Sequence, residues 1–176
     1  FSVSFWRSKC GSVMQEGYIF SDTIVRNITE SDSKGLVDKE RLLQAVKIAN
    51  IELFIESLPM GYNTKIGASG MGISGGQKQR ILIARAIYKN PDYLFFDEAT
   101  SALDSTNESE IMKKLNSFFK KRTVVVVAHR LSTVKKADNI IVLERGEIIE
   151  RGNHRELVNK RGVYYRLVKD QLELGN

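Results

Sequence analysis

The chain has 176 residues, of which 42% are hydrophobic, and this length and composition suit one domain with a substantial core. Its apolar runs, such as residues 124–128, are far too short to span a bilayer. The net charge of +6 comes from dispersed lysines and arginines without interleaved aromatic residues, a pattern that does not indicate a nucleic-acid-binding surface. A single cysteine, Cys10, excludes an internal disulfide and suits a reducing compartment.

The first half of the chain is predicted to be mostly helical. Residues 11–14 are a short strand candidate, and residues 16–90 are expected to be helix-rich and without strands. Asp38 can cap a helix whose apolar stripe includes Leu42 and Val46. Residues 61–76 are rich in glycine and indicate an irregular loop. Residues 77–88 then have the composition of a helix that is apolar nearly all round and therefore buried.

The second half alternates strands with helices. Apolar strands are predicted at residues 93–96 and 124–128, a helix opens at the capping box of Ser105 and Glu108, and a hairpin turns at Arg145-Gly146 before a closing helix at 164–172. Buried apolar strands that alternate with helices predict a parallel sheet of α/β type. We therefore expect a helical subdomain at 16–90 to be inserted in an α/β core whose C-terminal part is 91–176.

A glycine pair stands at the start of the buried helix, in the string Ser74-Gly75-Gly76-Gln77. Glycine lets the backbone approach a ligand closely, and the exposed N–H groups of a helix start attract anions. Ser74 and Gln77 also form a capping box, which would stabilise any helix. Capping alone does not require two glycines, which cost about 1 kcal/mol each in helical positions, so the string favours an anion-binding turn.

Two adjacent carboxylates, Asp97 and Glu98, end the apolar strand at 93–96. The carboxyl end of a buried parallel strand is where α/β proteins bind ligands. Asp97 is expected to hold Mg²⁺ and Glu98 to polarise an attacking water. The alternative, a strand that ends in polar turn residues, explains one carboxylate better than two. His129 follows the next strand, although a lone histidine is more often a core or surface residue.

The order of these motifs, Ile73-Ser74-Gly75-Gly76-Gln77, then Asp97-Glu98, then His129, resembles the ATPase domain of the ATP-binding cassette (ABC) family, whose signature is Leu-Ser-Gly-Gly-Gln. The resemblance implies a P-loop NTPase-like parallel sheet with an inserted helical subdomain. It also implies that ATP is bound with Mg²⁺ between two such domains arranged head to tail. The turn of Ser101 to Asp104 resembles the one that crosses this interface in the family.

The resemblance further assigns a role to each motif residue. Ser74 and Gly76 would touch the γ-phosphate of ATP held by the opposite subunit. Glu98 corresponds to the catalytic glutamate, and His129 to the histidine that contacts the γ-phosphate and helps position water. Gln15 corresponds to a glutamine that reaches Mg²⁺ or the water.

Other segments resemble exporters of this family, namely Phe20-Ser21-Asp22-Thr23-Ile24 with Asn27-Ile28, and the stretch 58–67. Residues 16–20 and 99–104 look most similar to bacterial exporters of peptides and bacteriocins. The predicted function is therefore ATP hydrolysis that drives export at the cytoplasmic face of the plasma membrane, with transmembrane domains and a second ATPase domain as partners and no nucleic acid. The alternatives are a soluble ABC-type ATPase acting on nucleic acid or ribosomes, and a binding module that contributes only Ser74 and Gly76 to a partner.

The phosphate-binding motif Gly-x-x-x-x-Gly-Lys-Ser/Thr, known as Walker A, does not occur in the sequence. The family carries that loop some way before the position of Gln15. We therefore expect the chain to be a C-terminal fragment of a larger protein, and the fragment alone to be inactive.

Overall fold

The computed structural model describes residues 2–30, 36–99, 105–127 and 134–174, and only the backbone of residues 105–109 and 171–174. The chain divides into two units, Phe1–Val127 and Ala128–Asn176. Each unit is described by itself.

A parallel three-stranded sheet lies at the centre of the first unit. Its strands are β1 (Cys10–Val13), β4 (Tyr93–Asp97) and β5 (Thr123–Val127), in the order β1-β4-β5. The register pairs Val13 with Phe96 and Asp97 with Val127, so the three strands end at the same edge of the sheet. The predicted parallel sheet, with strands 93–96 and 124–128 as neighbours, is confirmed, although strand bounds shift by one residue. The expectation that the second of these strands is buried is wrong, because the side chains of Val125, Val126 and Val127 are exposed in β5.

The described part of the first unit contains six helices, of which the first and the fifth contact strand β1. They are α1 (Val3–Lys9), α2 (Ile24–Thr29), α3 (Lys39–Ile48), α4 (Glu52–Glu56), α5 (Gly75–Tyr88) and α6 (Ser105–Phe119), with a 3-10 turn at Gly61–Asn63. The predicted cap of α3 is confirmed, because the Asp38 carboxylate accepts a hydrogen bond from the Arg41 backbone N–H at 3.0 Å. Helix α1 was not predicted, and α6 already begins at Ser105.

The expectation that residues 16–90 contain no strand is wrong. Strands β2 (Asp22–Thr23) and β3 (Lys65–Ile66) form an antiparallel ladder, which the Ile24 N–H extends by donating to the Thr64 carbonyl at 3.0 Å. Two-residue strands are too short to show the alternation of polar and apolar residues by which a strand is recognised in a sequence. The ladder joins the start of α2 to the glycine-rich loop.

Helix α5 is the main packing element of the first unit. It contacts α2, α3 and β1, and its Ile81, Ile83 and Ala84 side chains are fully buried. Burial of an isoleucine contributes about 1.5–3 kcal/mol. The prediction of a helix buried nearly all round is confirmed, with its start at Gly75 and not at Gln77.

The second unit is a hairpin covered by two helices. Strands β6 (Ile140–Glu144) and β7 (Glu147–Gly152) pair antiparallel, as predicted, and helices α7 (His154–Lys160) and α8 (Val163–Leu174) follow. Arg145 and Gly146 turn the hairpin with φ of +51° and +85°, the left-handed conformation that tight hairpins require. Helix α7 was not predicted, although Asn153 and Glu156 form its capping box.

A small core holds the second unit together. It consists of Ile140, Val142, Leu157, Tyr164 and Val168. The carboxylate of Glu150 is buried beneath it and accepts a hydrogen bond from the Tyr164 backbone N–H at 2.7 Å, which caps α8. Across the described parts of both units, every helix is too short or too polar to cross a bilayer.

Candidate functional site

The two adjacent carboxylates lie at the carboxyl end of the central strand β4. Asp97 is the last residue of the strand and pairs with Val127, and the backbone N–H of Glu98 donates to the Val127 carbonyl at 3.0 Å. Leu94 and Phe96 anchor the strand in the core, while both carboxylate residues stay half-buried. This edge of a parallel sheet is where α/β proteins bind their ligands.

The backbone of Glu98 adopts an unusual conformation that the sequence does not reveal. Its φ is +47°, in the left-handed region where a Cβ atom crowds the neighbouring carbonyl oxygen. Non-glycine residues held there cost about 1–3 kcal/mol and cluster at functional sites. A glycine or asparagine adopts this conformation at a lower cost.

Gln15 leaves the sheet at the same edge as the carboxylates. Strand β1 ends at Val13 opposite Phe96, and Gln15 follows two residues later with an exposed side chain. The carboxylate of Asp97 and the amide oxygen of Gln15 are hard oxygen donors of the kind that Mg²⁺ prefers. No group of three or more His, Cys, Asp or Glu residues able to hold a metal occurs in the part of the chain that the structure describes.

The N-terminus of α5 carries the predicted capping box. The Ser74 hydroxyl accepts from the Gln77 N–H at 3.2 Å, and the Ser74 N–H donates to Gln77 Oε1 at 2.8 Å. A helix start has four N–H groups without a partner inside the helix, and the capping box satisfies two of them. The remaining two belong to Gly75 and Gly76.

The string Ser74-Gly75-Gly76-Gln77 can therefore serve both as a helix cap and as an anion-binding turn in the same geometry. Gly75 is exposed and Gly76 half-buried, the first turn of α5 contains no acidic residue, and Lys78 follows one turn into the helix. Free N–H groups at the positive end of a 14-residue helix attract a negatively charged oxygen. The capping box fixes the direction of these groups, because Ser74 and Gln77 bond to each other.

Three predicted site residues fall outside the described residues. They are Ser101, Asp104 and His129. Their roles stay predictions.

Arg85 is a residue of structural importance that the sequence interpretation missed. Its side chain is 19% exposed and lies on α5, among isoleucines and alanines that are buried. Its Nη1 donates to the Tyr18 carbonyl at 2.9 Å and its Nε to the Asn27 carbonyl at 2.6 Å. A charged residue in a helix that is otherwise apolar nearly all round was the signal in the sequence.

Comparison with known proteins identifies the family. The family described as "ABC transporter" matches residues 2–101. "Multidrug resistance protein 3" of Entamoeba histolytica is 48% identical over 97% of this chain, and "ABC transporter B family member 4" of Dictyostelium discoideum is 49% identical over the same share. The chain spans 13% of the first relative and 22% of the second.

A solved structure, that of a bacterial Atm1-family ABC exporter with ATP bound, superimposes with a TM-score of 0.88 at 39% identity. The match covers 96% of this chain and 29% of the exporter chain. The predicted fold, an ABC ATPase with a parallel α/β sheet, is confirmed.

Proposed function

Because this chain belongs to the ABC transporter family, we propose that it is the ATP-binding and ATP-hydrolysing region of a membrane exporter. The observation that carries the proposal is the end of β4, where Asp97 and Glu98 lie side by side at the ligand-binding edge of the sheet. Backbone strain at Glu98, with φ of +47°, supports a chemical role for this side chain.

Each carboxylate has a separate task in this proposal. Glu98 accepts a proton from the attacking water as general base. Asp97 and Gln15 fit Mg²⁺, since this ion commonly takes one or two protein oxygens and completes its shell with water and phosphate oxygens. When bound, the ion neutralises charge that develops on the phosphate oxygens.

The N-terminus of α5 serves a second ATP-binding domain. The N–H groups of Gly75 and Gly76 and the hydroxyl of Ser74 would bind the γ-phosphate of ATP held by that partner, in a head-to-tail dimer. The capping box of Ser74 and Gln77, with hydrogen bonds of 2.8 and 3.2 Å, supports this proposal because it pre-orients the donors. His129 at the γ-phosphate, and Ser101 and Asp104 at the interface, belong to the same proposal by resemblance.

The partner domains and location follow from the same reasoning. We propose that transmembrane domains of the same or a partner chain dock on this region, at the cytoplasmic face of the plasma membrane. Residues 16–90 are proposed as the helical subdomain and residues 91–176 as the C-terminal part of the core. The relatives are named for multidrug resistance and B-family transport, which does not favour a soluble ATPase for nucleic acid or ribosomes. A peptide substrate stays a prediction from residues 16–20 and 99–104.

Exchange of the general base in the full-length protein tests the proposal. Glu98→Gln should lower ATP turnover about 10²–10⁴-fold, with ATP binding largely kept because the amide retains the side-chain volume. Glu147→Gln is the control, since Glu147 is exposed in the hairpin of the other unit. Turnover within a factor of about two of the wild type in Glu98→Gln would place the base elsewhere.

We also propose that the 176 residues alone do not hydrolyse ATP. The sequence contains no Walker A loop, whose lysine and backbone N–H groups supply most contacts to the β- and γ-phosphates. Asp97, Gln15 and His129 are only secondary contacts. Steady phosphate release by the purified chain, abolished by Glu98→Gln, would contradict this.

A further inference from the structure

Arg85 of α5 connects the signature helix to the polypeptide that follows Gln15. We propose that Arg85 is a positioning residue: it fastens residues 17–23, here named the 17–23 segment, to α5, so that Gln15 and the N-terminus of α5 keep a fixed spacing during ATP turnover. The proposal rests on the ATP hydrolysis proposed above. The contacts that carry it lie entirely within the first unit.

The guanidinium group of Arg85 makes three hydrogen bonds to two separate parts of the chain. Its Nη1 donates to the Tyr18 carbonyl at 2.9 Å. Its Nε and Nη2 donate to the carbonyl and the side-chain oxygen of Asn27, at 2.6 and 3.1 Å. Hydrogen bonds from a charged donor are about twice as strong as neutral ones, and the planar fork of arginine fixes their directions.

Charge and an aromatic ring hold the guanidinium group in this place. Burial lowers the pKa of Arg85 and the nearby Glu30 carboxylate raises it, but an arginine keeps its charge at any physiological pH. Glu30 Oε2 lies 3.4 Å from Arg85 Nε. The guanidinium also lies 5.0 Å from the centre of the Phe20 ring, within reach of a cation–π interaction.

Asn27, which Arg85 contacts, also forms hydrogen bonds with the backbone of the 17–23 segment. It is fully buried in α2. The two hydrogens of its Nδ2 are shared among the carbonyls of Phe20 (3.0 Å), Asp22 (3.3 Å) and Thr23 (3.1 Å), and its Oδ1 accepts from the Phe20 N–H at 2.9 Å. Arg85 and Asn27 together bind backbone groups from Tyr18 to Thr23.

Gly17 gives the segment a second contact with α5. A Cβ atom at Gly17 would overlap Cδ1 of Leu82 and stand 3.0 Å from its Cδ2, so the Leu82 side chain would have to shift. Leu82 precedes Arg85 by almost one helical turn, so both lie on the same side of α5. Leu82 therefore contacts Gly17 and Arg85 contacts Tyr18, which places the backbone directly after Gln15 and Glu16 against the helix.

These contacts have a consequence for catalysis. Gln15 is two residues ahead of Gly17, and Ser74 is the cap of the same helix that carries Leu82 and Arg85. Any shift of the 17–23 segment away from α5 changes the spacing between Gln15 and the helix start. In the proposed head-to-tail dimer, Gln15 acts on the ATP of its own domain and the α5 N-terminus on the ATP of the partner, so such a shift misplaces one group in each shared site. A misplacement of about 1 Å costs about 10²-fold in rate.

The test uses Arg85→Met, Arg85→Lys and a matched control in the full-length protein. Methionine keeps much of the side-chain volume but removes all three donors, and lysine keeps the charge beside Glu30 but lacks the fork. The control is Arg80→Met, because Arg80 lies on the same helix and donates to a backbone carbonyl, that of Asn50 at 2.9 Å, which is not in the 17–23 segment. MgATP is the titrated ligand.

We expect kcat of Arg85→Met to fall about 10- to 100-fold with KM for ATP within a factor of about two. Arg85→Lys should lose at least about threefold in kcat, again with KM unchanged. Hydrogen exchange at the Phe20 amide should accelerate in Arg85→Met and stay at the wild-type rate in Arg80→Met, since that amide donates to Asn27 Oδ1.

Wild-type kcat in Arg85→Met overturns the proposal, and so do equal losses in Arg85→Met and Arg80→Met, which would indicate general loosening of α5. If Arg85→Met does not fold, wild-type kcat in Arg85→Lys overturns it. A wild-type protein without ATPase activity would refute the proposed function and not the contact. In that case Phe20 exchange decides: an unaltered rate in Arg85→Met refutes the fastening of the segment.

Discussion

The left-handed backbone at Glu98 predicts that Glu98→Gly is inactive but more stable than Glu98→Ala. With φ of +47°, the Cβ atom costs about 1–2 kcal/mol. Glycine removes this cost, but its freedom in the unfolded chain takes back about 0.5–1 kcal/mol. Glu98→Gly should therefore raise the free energy of unfolding by up to about 1.5 kcal/mol, or up to about 6 °C in Tm for a domain of this size, relative to a variant that keeps Cβ.

Glu98→Ala is that reference, because it lacks the carboxylate and its contacts but retains the strained Cβ. Thermal unfolding of both variants by calorimetry isolates the backbone contribution, and any contact of the Glu98 side chain cancels in the difference. Both variants should lose ATP turnover about 10²–10⁴-fold. The reasoning is refuted if Glu98→Gly unfolds at or below the temperature of Glu98→Ala.

Four further predictions concern packing. Gly17→Val should lower the free energy of unfolding by about 1–3 kcal/mol, because the valine side chain overlaps Leu82. In a double-mutant cycle, Gly17→Val with Leu82→Ala should be more stable by at least about 0.5 kcal/mol than the sum of the two single effects predicts. Strict additivity would contradict the overlap. Asn27→Leu should cost about 2–5 kcal/mol in denaturant unfolding because buried backbone groups lose their partner; a neutral result would refute this. Glu150→Ala should destabilise the second unit by about 1–3 kcal/mol through loss of the α8 cap, seen as faster exchange of the Tyr164 amide; an unchanged rate would contradict it. The isolated chain should self-associate through β5, because this strand pairs only with β4 among the described strands and the side chains of Val125, Val126 and Val127 are exposed. A monomer in light scattering, with β5 amides protected from exchange, would contradict this.

Features set by neighbours in the sequence were predictable. The capping box needs only Ser74 and Gln77, three residues apart, and the carboxylate pair needs only an apolar strand followed by two acids. The neighbouring placement of β4 and β5 follows from a helical connection between two apolar strands that are consecutive in the second half of the chain. For this reason the sheet, the α5 cap and the location of Asp97 and Glu98 all agree with expectation.

Features set by contacts between distant residues were not predictable. Arg85 bonds to Tyr18 across 67 residues and to Asn27 across 58 residues. The β2–β3 ladder pairs Thr23 with Lys65 although each strand has two residues. Nothing local in the sequence specifies such pairs, because their partners are decided by how α2 and the glycine-rich loop pack on α5. Glu98 belongs to this class too, since its N–H bonds to the carbonyl of Val127, which is distant in the sequence.

Three residues of the candidate site, Gly75, Gly76 and Glu98, are unfavourable for the stability of the backbone, and buried side chains of α5 offset their cost. Gly75 and Gly76 cost at most about 1 kcal/mol each, the value for a helix interior, and Glu98 adds about 1–2 kcal/mol. Ile81 and Ile83 on the same helix, both fully buried, contribute about 1.5–3 kcal/mol each, which is of the same size. The signature turn can therefore present free N–H groups without unfolding the start of α5. Ile83→Ala, for example, costs about 2–5 kcal/mol. It should consequently weaken the capping box at the start of α5 more than it disturbs the carboxylates on β4, because β4 is paired with a strand on each side.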